Sequence, residues 1–216
     1  LLPLPRMRPP RRPTLLLACL ALGSSLLAAD LRLASPLSDH MVLQREKPVA
    51  VWGWADAGEA VTVAFAGQSK TVTADAEGKW SLRLDALPAS AEPRSLVVTG
   101  KADRRLEVKD VLVGEVWLGS GQSNMAMIVQ NSQNFDAEKA AAKYPLIRHY
   151  QESSAPADQP KAEGKGQWRA CAPETVGGFS AVLYFFGREI HREVGVPVGL
   201  VNTSVGGTPI ESWVSA

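Results

Sequence analysis

The stretch VLVGEVWLG, residues 111–119, most limits how this 216-residue chain can fold. It is nearly continuous in apolar residues. Such a run suits a strand of a parallel sheet covered on both faces rather than an alternating, half-solvated strand. It stops abruptly in SGQSNM, 120–125, which is small and polar. Gly119 and Gly121 permit a tight turn that leaves backbone N–H groups bare. Ser123 then stands at the expected start of a helix. Ligands of open α/β sheets bind outside the carboxyl ends of strands, so a hydroxyl here faces a cleft. Serine is also a favoured N-cap, and the local pattern fits both roles.

A second stretch repeats the arrangement. PVGLV, 197–201, reads as another buried strand and runs through NTSVGGT, 202–208, to a helix start at Pro209. In a parallel sheet its glycine turn lies at the same edge as Ser123. Gly206 and Gly207 can bring a bare N–H close to a carbonyl oxygen, or can simply connect strand to helix. Between the two stretches, DAEKAAAK at 136–143 reads as a short helix and PLIRHY at 145–150 as a strand. Residues 151–168 read as a surface loop. Phe179, Val182, Leu183, Phe186, Ile190 and Val194 have the spacing of a helix over 178–194. Strands alternating with helices predict an α/β sheet.

Residues 33–108 read differently. Short strands are expected at 49–54, 60–66, 70–74, 79–84, 95–100 and 105–108, with turn residues between them. This spacing suggests a small antiparallel β-sandwich. The expected organisation is therefore a β-sandwich domain over 30–108, then an α/β domain over 109–216.

Residues 1–29 read as a secretory signal peptide with its start at Met7. Arg8, Arg11 and Arg12 precede the apolar run TLLLACLALGSSLLAA, and cleavage is expected after Ala29. The apolar run is short for a membrane span, so no stable membrane insertion is expected after cleavage. A periplasmic or extracellular location follows. The chain has 23 basic and 22 acidic side chains; without the four arginines of the leader, 19 face 22. That balance gives no footprint for nucleic acid. Cys19 leaves with the leader, and Cys171 remains as a single thiol with no base beside it in WRACAPET. No metal-ligand spacing and no phosphate-loop lysine is present, so no metal and no cofactor is expected.

GQSNM at 121–125, together with VNTSVGGTPIESW at 201–213, resembles the SGNH-type serine esterases and specifically the sialate O-acetylesterase family. The segment LASPLSDHMVLQREKPVAVWGWADAGEAVTV, from residue 33 on, is similar to the N-terminal β-domain of that family. The resemblance implies a flavodoxin-like SGNH hydrolase domain, a three-layer α/β/α fold, preceded by the β-sandwich. It implies removal of O-acetyl groups from sialic acid or related acetylated glycans, without a cofactor. Ser123 matches the nucleophile, and its N–H a donor of the oxyanion hole. Gly207 is the expected second donor and Gly206 the alternative. Gln122 and Asn124 match the motif as residues that brace the turn or line the pocket.

Serine at its free pKa is a poor nucleophile and needs a base. The family takes it from a later Asp-x-x-His, and none of His40, His149 and His191 follows an aspartate at that spacing. The three read as structural. The sequence is accordingly expected to be an N-terminal fragment, inactive or weakly active alone. The competing expectation is a non-catalytic carbohydrate-binding protein. Trp52, Trp54 and Trp80 would then stack on sugar rings instead of filling the sandwich core.

Overall fold

The computed structural model describes residues 30–155, 157, 159 and 161–214; the expected leader over 1–29 lies outside them. The first half is built of eight strands. They are β1 (Arg32–Leu33), β2 (Val42–Gln44), β3 (Val49–Trp54), β4 (Ala60–Phe65), β5 (Gln68–Thr73), β6 (Lys79–Leu84), β7 (Ser90–Thr99) and β8 (Arg105–Gly119). The second half adds α1 (Ser123–Ala126), α2 (Phe135–Ala141), β9 (Tyr144–Glu152), β10 (Gly166–Cys171), α3 (Ala181–Val194) and β11 (Val198–Asn202).

The period-two pattern read from the sequence sets the inner faces. Val49 and Val51 of β3 and Val61, Val63 and Phe65 of β4 are buried. Between β4 and β5, Ala66 and Gly67 both have positive φ, +50° and +81°. That is the two-residue hairpin turn whose twist matches the flanking strands, and it starts β5 at Gln68 rather than Lys70. Strands β1, β3 and β6 form a three-stranded sheet. Its inner residues share one core with β4, β7 and β8. Trp80 fills that core, whereas Trp52 and Trp54 do not: they alternate onto the outer face of β3, where the Arg32 guanidinium covers Trp54 at 4.2 Å.

The strands expected at 105–108 and 111–119 are one strand. β8 runs antiparallel to β7 with its first half and parallel to β11 with its second. Lys109 and Asp110 break the apolar pattern at the join, and this hides the continuity in the sequence. Asp110 has φ +54°, and the pairing with β7 shifts there from Leu96↔Val108 to Arg94↔Val111. The backbone bends, and the side chains of Asp110 and its neighbours are re-aimed.

Beyond the bend lies the parallel part, in the order β9-β11-β8, with β10 antiparallel at the edge of β9. β10 falls where the polar loop was expected to end; its inward residues, Trp168 and Cys171, are widely spaced among polar ones. Helix α3 starts at Ser180, whose Oγ accepts from Leu183 N–H, and ends at Gly195 with φ +71°. Its Leu183 and Tyr184 pack with Ile147, Val198 and Leu200. On the other face Tyr150, Trp168 and Val201 join the core of the N-terminal strands. The helical layer among the described residues is thus on one face. Val111–Val113 are buried as expected, but Trp117 and Leu118 are 41% and 68% exposed, contrary to a strand covered on both faces throughout.

The end of β8 touches α3 closely. A methyl group added at Gly119 would lie 2.6–2.7 Å from the Cγ and both Cδ atoms of Leu183. Gly119→Ala is therefore expected to push α3 away and cost about 1–3 kcal/mol. Urea denaturation checks this; an unchanged midpoint would show that the contact yields freely.

Candidate active site

Ser123 sits where the sequence put it, past the carboxyl end of β8 as the first residue of α1. Gly121 makes the turn with φ +128°, which a residue with a Cβ rarely adopts. Gln122 is the N-cap. Its Oε1 accepts from Ser123 N–H at 3.0 Å and from Ser123 Oγ–H at 2.9 Å. Gln122 thus braces the turn, and its carboxamide oxygen occupies both the N–H and the hydroxyl of Ser123. Asn124 is exposed beside them.

The second glycine turn comes alongside. Thr203 N–H donates to Gly119 O at 3.0 Å, and Val205 N–H donates to Gly121 O at 2.9 Å. These two bonds lace the loop after β11 to the loop after β8. A methyl group added at Gly206 would stand 3.7 Å from Ser123 Oγ. Gly207 has φ +80° and open space where a side chain would project. The structure thus brings Ser123, Gln122, Gly206 and Gly207 together at one edge, and of the two glycines Gly206 is the one where an added Cβ would lie within 4 Å of the hydroxyl.

Asn202 holds this loop from below. Its Oδ1 accepts from Ser204 N–H at 3.0 Å and Oγ–H at 2.6 Å, and its Nδ2 donates to Gln151 Oε1 at 2.9 Å. Buried at the end of an otherwise apolar strand, it is the polar residue that fixes where the glycine turn begins.

None of the three histidines partners Ser123. His40 Nδ1 lies 2.6 Å from Asp110 Oδ2. His191 Nδ1 bonds to Val196 O at 2.7 Å. His149 is buried, stacks on Phe179 with ring centroids 4.6 Å apart, and accepts from Ser180 N–H through Nε2 at 3.2 Å. Burial, aided by the charge of Arg169, pushes its pKa down to about 4, so the ring is neutral near pH 7. Cys171 is buried, and burial raises its thiol to about 12, which makes it a poor nucleophile. Among the described residues no group of His, Cys, Asp and Glu is arranged to hold a metal, and no helix is long and apolar enough to cross a membrane.

Comparisons with known proteins find relatives of this chain. Residues 113–216 match the family model described as carbohydrate esterase, sialic acid-specific acetylesterase. The chain is 34% identical to the sialate O-acetylesterase of Rattus norvegicus over 202 residues, 85% of this chain and 37% of that protein. It is 35% identical to the sialate O-acetylesterase of Homo sapiens, over 85% of this chain and 39% of that one. A solved structure, described as a novel carbohydrate acetylesterase from Xanthomonas citri, superposes with a TM-score of 0.82 at 40% identity. It covers 87% of this chain and 43% of its own. The chain belongs to the sialate O-acetylesterase family, and it spans well under half the length of these relatives.

Proposed function

We propose that the protein is an exported carbohydrate esterase that removes O-acetyl groups from sialic acid or related acetylated glycans, with Ser123 as nucleophile. The observation that carries this reading is the lacing of the Ser123 turn to the Gly206–Gly207 turn at the carboxyl edge of parallel strands. In this mechanism Ser123 Oγ attacks the acetyl carbonyl carbon, and the carbonyl oxygen becomes an oxyanion. Ser123 N–H and an N–H of the glycine turn, Gly207 or Gly206, stabilise that charge. The sugar hydroxyl leaves with a proton, and water then hydrolyses the acetyl-serine to acetate. Gln122 must withdraw its carboxamide oxygen from Ser123 N–H before the oxyanion can form there. Asn124 lines the same rim.

The hydroxyl needs a base to take its proton. No described histidine or carboxylate is within hydrogen-bond reach of it, so in this reading the base lies outside the described residues. The remainder of a flavodoxin-like three-layer SGNH domain would supply it, and the 216-residue chain alone would be inactive or weakly active. The leader of residues 1–29 supports export, and an exported protein beginning at Asp30 would confirm the cleavage point. Acetate release from an O-acetylated sialoside, measured on the complete gene product, tests the activity. Hydrolysis of simple acyl esters with no preference for an acetylated sugar would overturn the substrate class.

A further inference from the structure

A cavity of about 340 Å³ opens on the α3 face of the sheet, lined by His149, Gln151, Gln167, Arg169 and Phe179 among others. Strand pairing explains why these side chains meet. His149 faces Arg169 and Gln151 faces Gln167 across the β9–β10 pair. Two cross-strand pairs on one face thus give a patch with one cation, two carboxamides and one imidazole. Phe179, stacked on His149, forms the apolar wall.

Two features of the patch point to an anion. Arg169 has no carboxylate partner within salt-bridge distance among the described residues; with the Gln167 carboxamide turned so that its oxygen faces the guanidinium, Arg169 Nε donates to it at 2.9 Å. His149, 2% exposed, accepts through Nε2 from Ser180 N–H, so in the neutral ring the proton is on Nδ1. Nδ1–H has no partner among the described residues, and the ring lines the cavity. Nδ1 is not sealed from the cavity, so a water or a ligand there can accept from it.

The cavity lies along the same edge as Ser123. Gly119, Asn202, Gln151 and Gln167 stand side by side in register across β8, β11, β9 and β10. At about 4.8 Å per strand, Gln151 is about 10 Å from the end of β8. Ser180, whose N–H meets His149, donates through Oγ to Met125 O at 2.6 Å, within the helix that Ser123 begins. One sugar acid with its acyl arm can span that distance.

We propose that this cavity is the subsite for the carboxylate of an acidic sugar, held by Arg169 and the His149 Nδ1–H, with Phe179 against the ring. It rests on the proposed esterase reading for its place in catalysis but not for its binding. The test uses the full chain carrying Ser123→Ala, so that no ester chemistry intervenes. N-acetylneuraminic acid and its methyl ester, which lacks the charge, are titrated while the His149 ring and Arg169 Nε signals are followed by NMR. The acid is expected to shift both signals, and the methyl ester to bind at least about ten-fold more weakly. Arg169→Gln, at an exposed position, is expected to keep the fold and weaken the acid by about the same factor. Absence of shifts up to about 50 mM, equal binding of acid and ester, or undiminished binding by Arg169→Gln would overturn the subsite. Acetate release is measured separately. Ser123-dependent hydrolysis without these shifts would sink the subsite alone; shifts with Ser123-independent hydrolysis would sink the esterase mechanism alone.

Discussion

Ser123→Ala is expected to lower kcat for acetyl-ester hydrolysis by the complete gene product by about 10⁴-fold or more, with KM changed less than about three-fold. The split follows from where the side chain sits. Ser123 Oγ is exposed at the strand end and bonds within the protein to Gln122 Oε1. Removing it leaves the surrounding surface in place and, in the proposed mechanism, deletes the atom that attacks. The residual rate would come from the oxyanion donors and from binding. The fold should not change, because the side chain packs in neither core. Steady-state kinetics on an O-acetylated sialoside reads both parameters. A loss smaller than about ten-fold would mean that another group attacks. A rise in KM at constant kcat would mean that Ser123 binds rather than reacts.

How much of this could be read beforehand depends on range. The alternation of β3, β4 and β6 and the apolar spacing of α3 are local signals, and they gave these elements closely. The Ser123 and Gly206–Gly207 turns were legible for the same reason: glycine and a small polar residue at a strand end have few other uses. What escaped was set by distant partners. β10 is a strand because β9 offers an edge to Gly166–Cys171, not because its own residues alternate. Trp52 and Trp54 looked like core fillers by size, but pairing in register with β6 turns them outward while Trp80 turns in. The cavity residues were invisible for a related reason. Gln151 and Gln167 sit in what reads as loop and Arg169 just past it, and pairing alone puts them beside His149. Asn202 carried a usable signal, a polar residue closing an apolar strand.

Arg148→Met is expected to destabilise the fold by about 2–3 kcal/mol at pH 7, and by clearly less near pH 3. The Arg148 side chain is 6% exposed, and its guanidinium donates to Asp110 at 2.6 and 3.1 Å and to Pro145 O at 2.7 Å. It ties β9 to the bend in β8, so the parallel sheet is held to the strand that carries Ser123. Methionine keeps the apolar stem and removes the charge, which leaves the Asp110 carboxylate partly buried with His40 as its remaining partner. Burial alone would raise the pKa of Asp110, but the hydrogen bonds from Arg148 and His40 outweigh it and hold the carboxyl below its usual value. A group whose folded pKa is depressed contributes stability above its unfolded pKa, about 4, and loses it as pH falls through the folded value. The difference between the wild-type and variant proteins should therefore be largest at neutral pH and shrink as Asp110 takes up a proton. Urea denaturation of both at pH 7 and pH 3 checks the magnitude and the sign. A difference that stays constant between the two pH values would mean that Arg148 acts through packing and its bond to Pro145 O, and that the charge pair at the bend does not hold the two halves together.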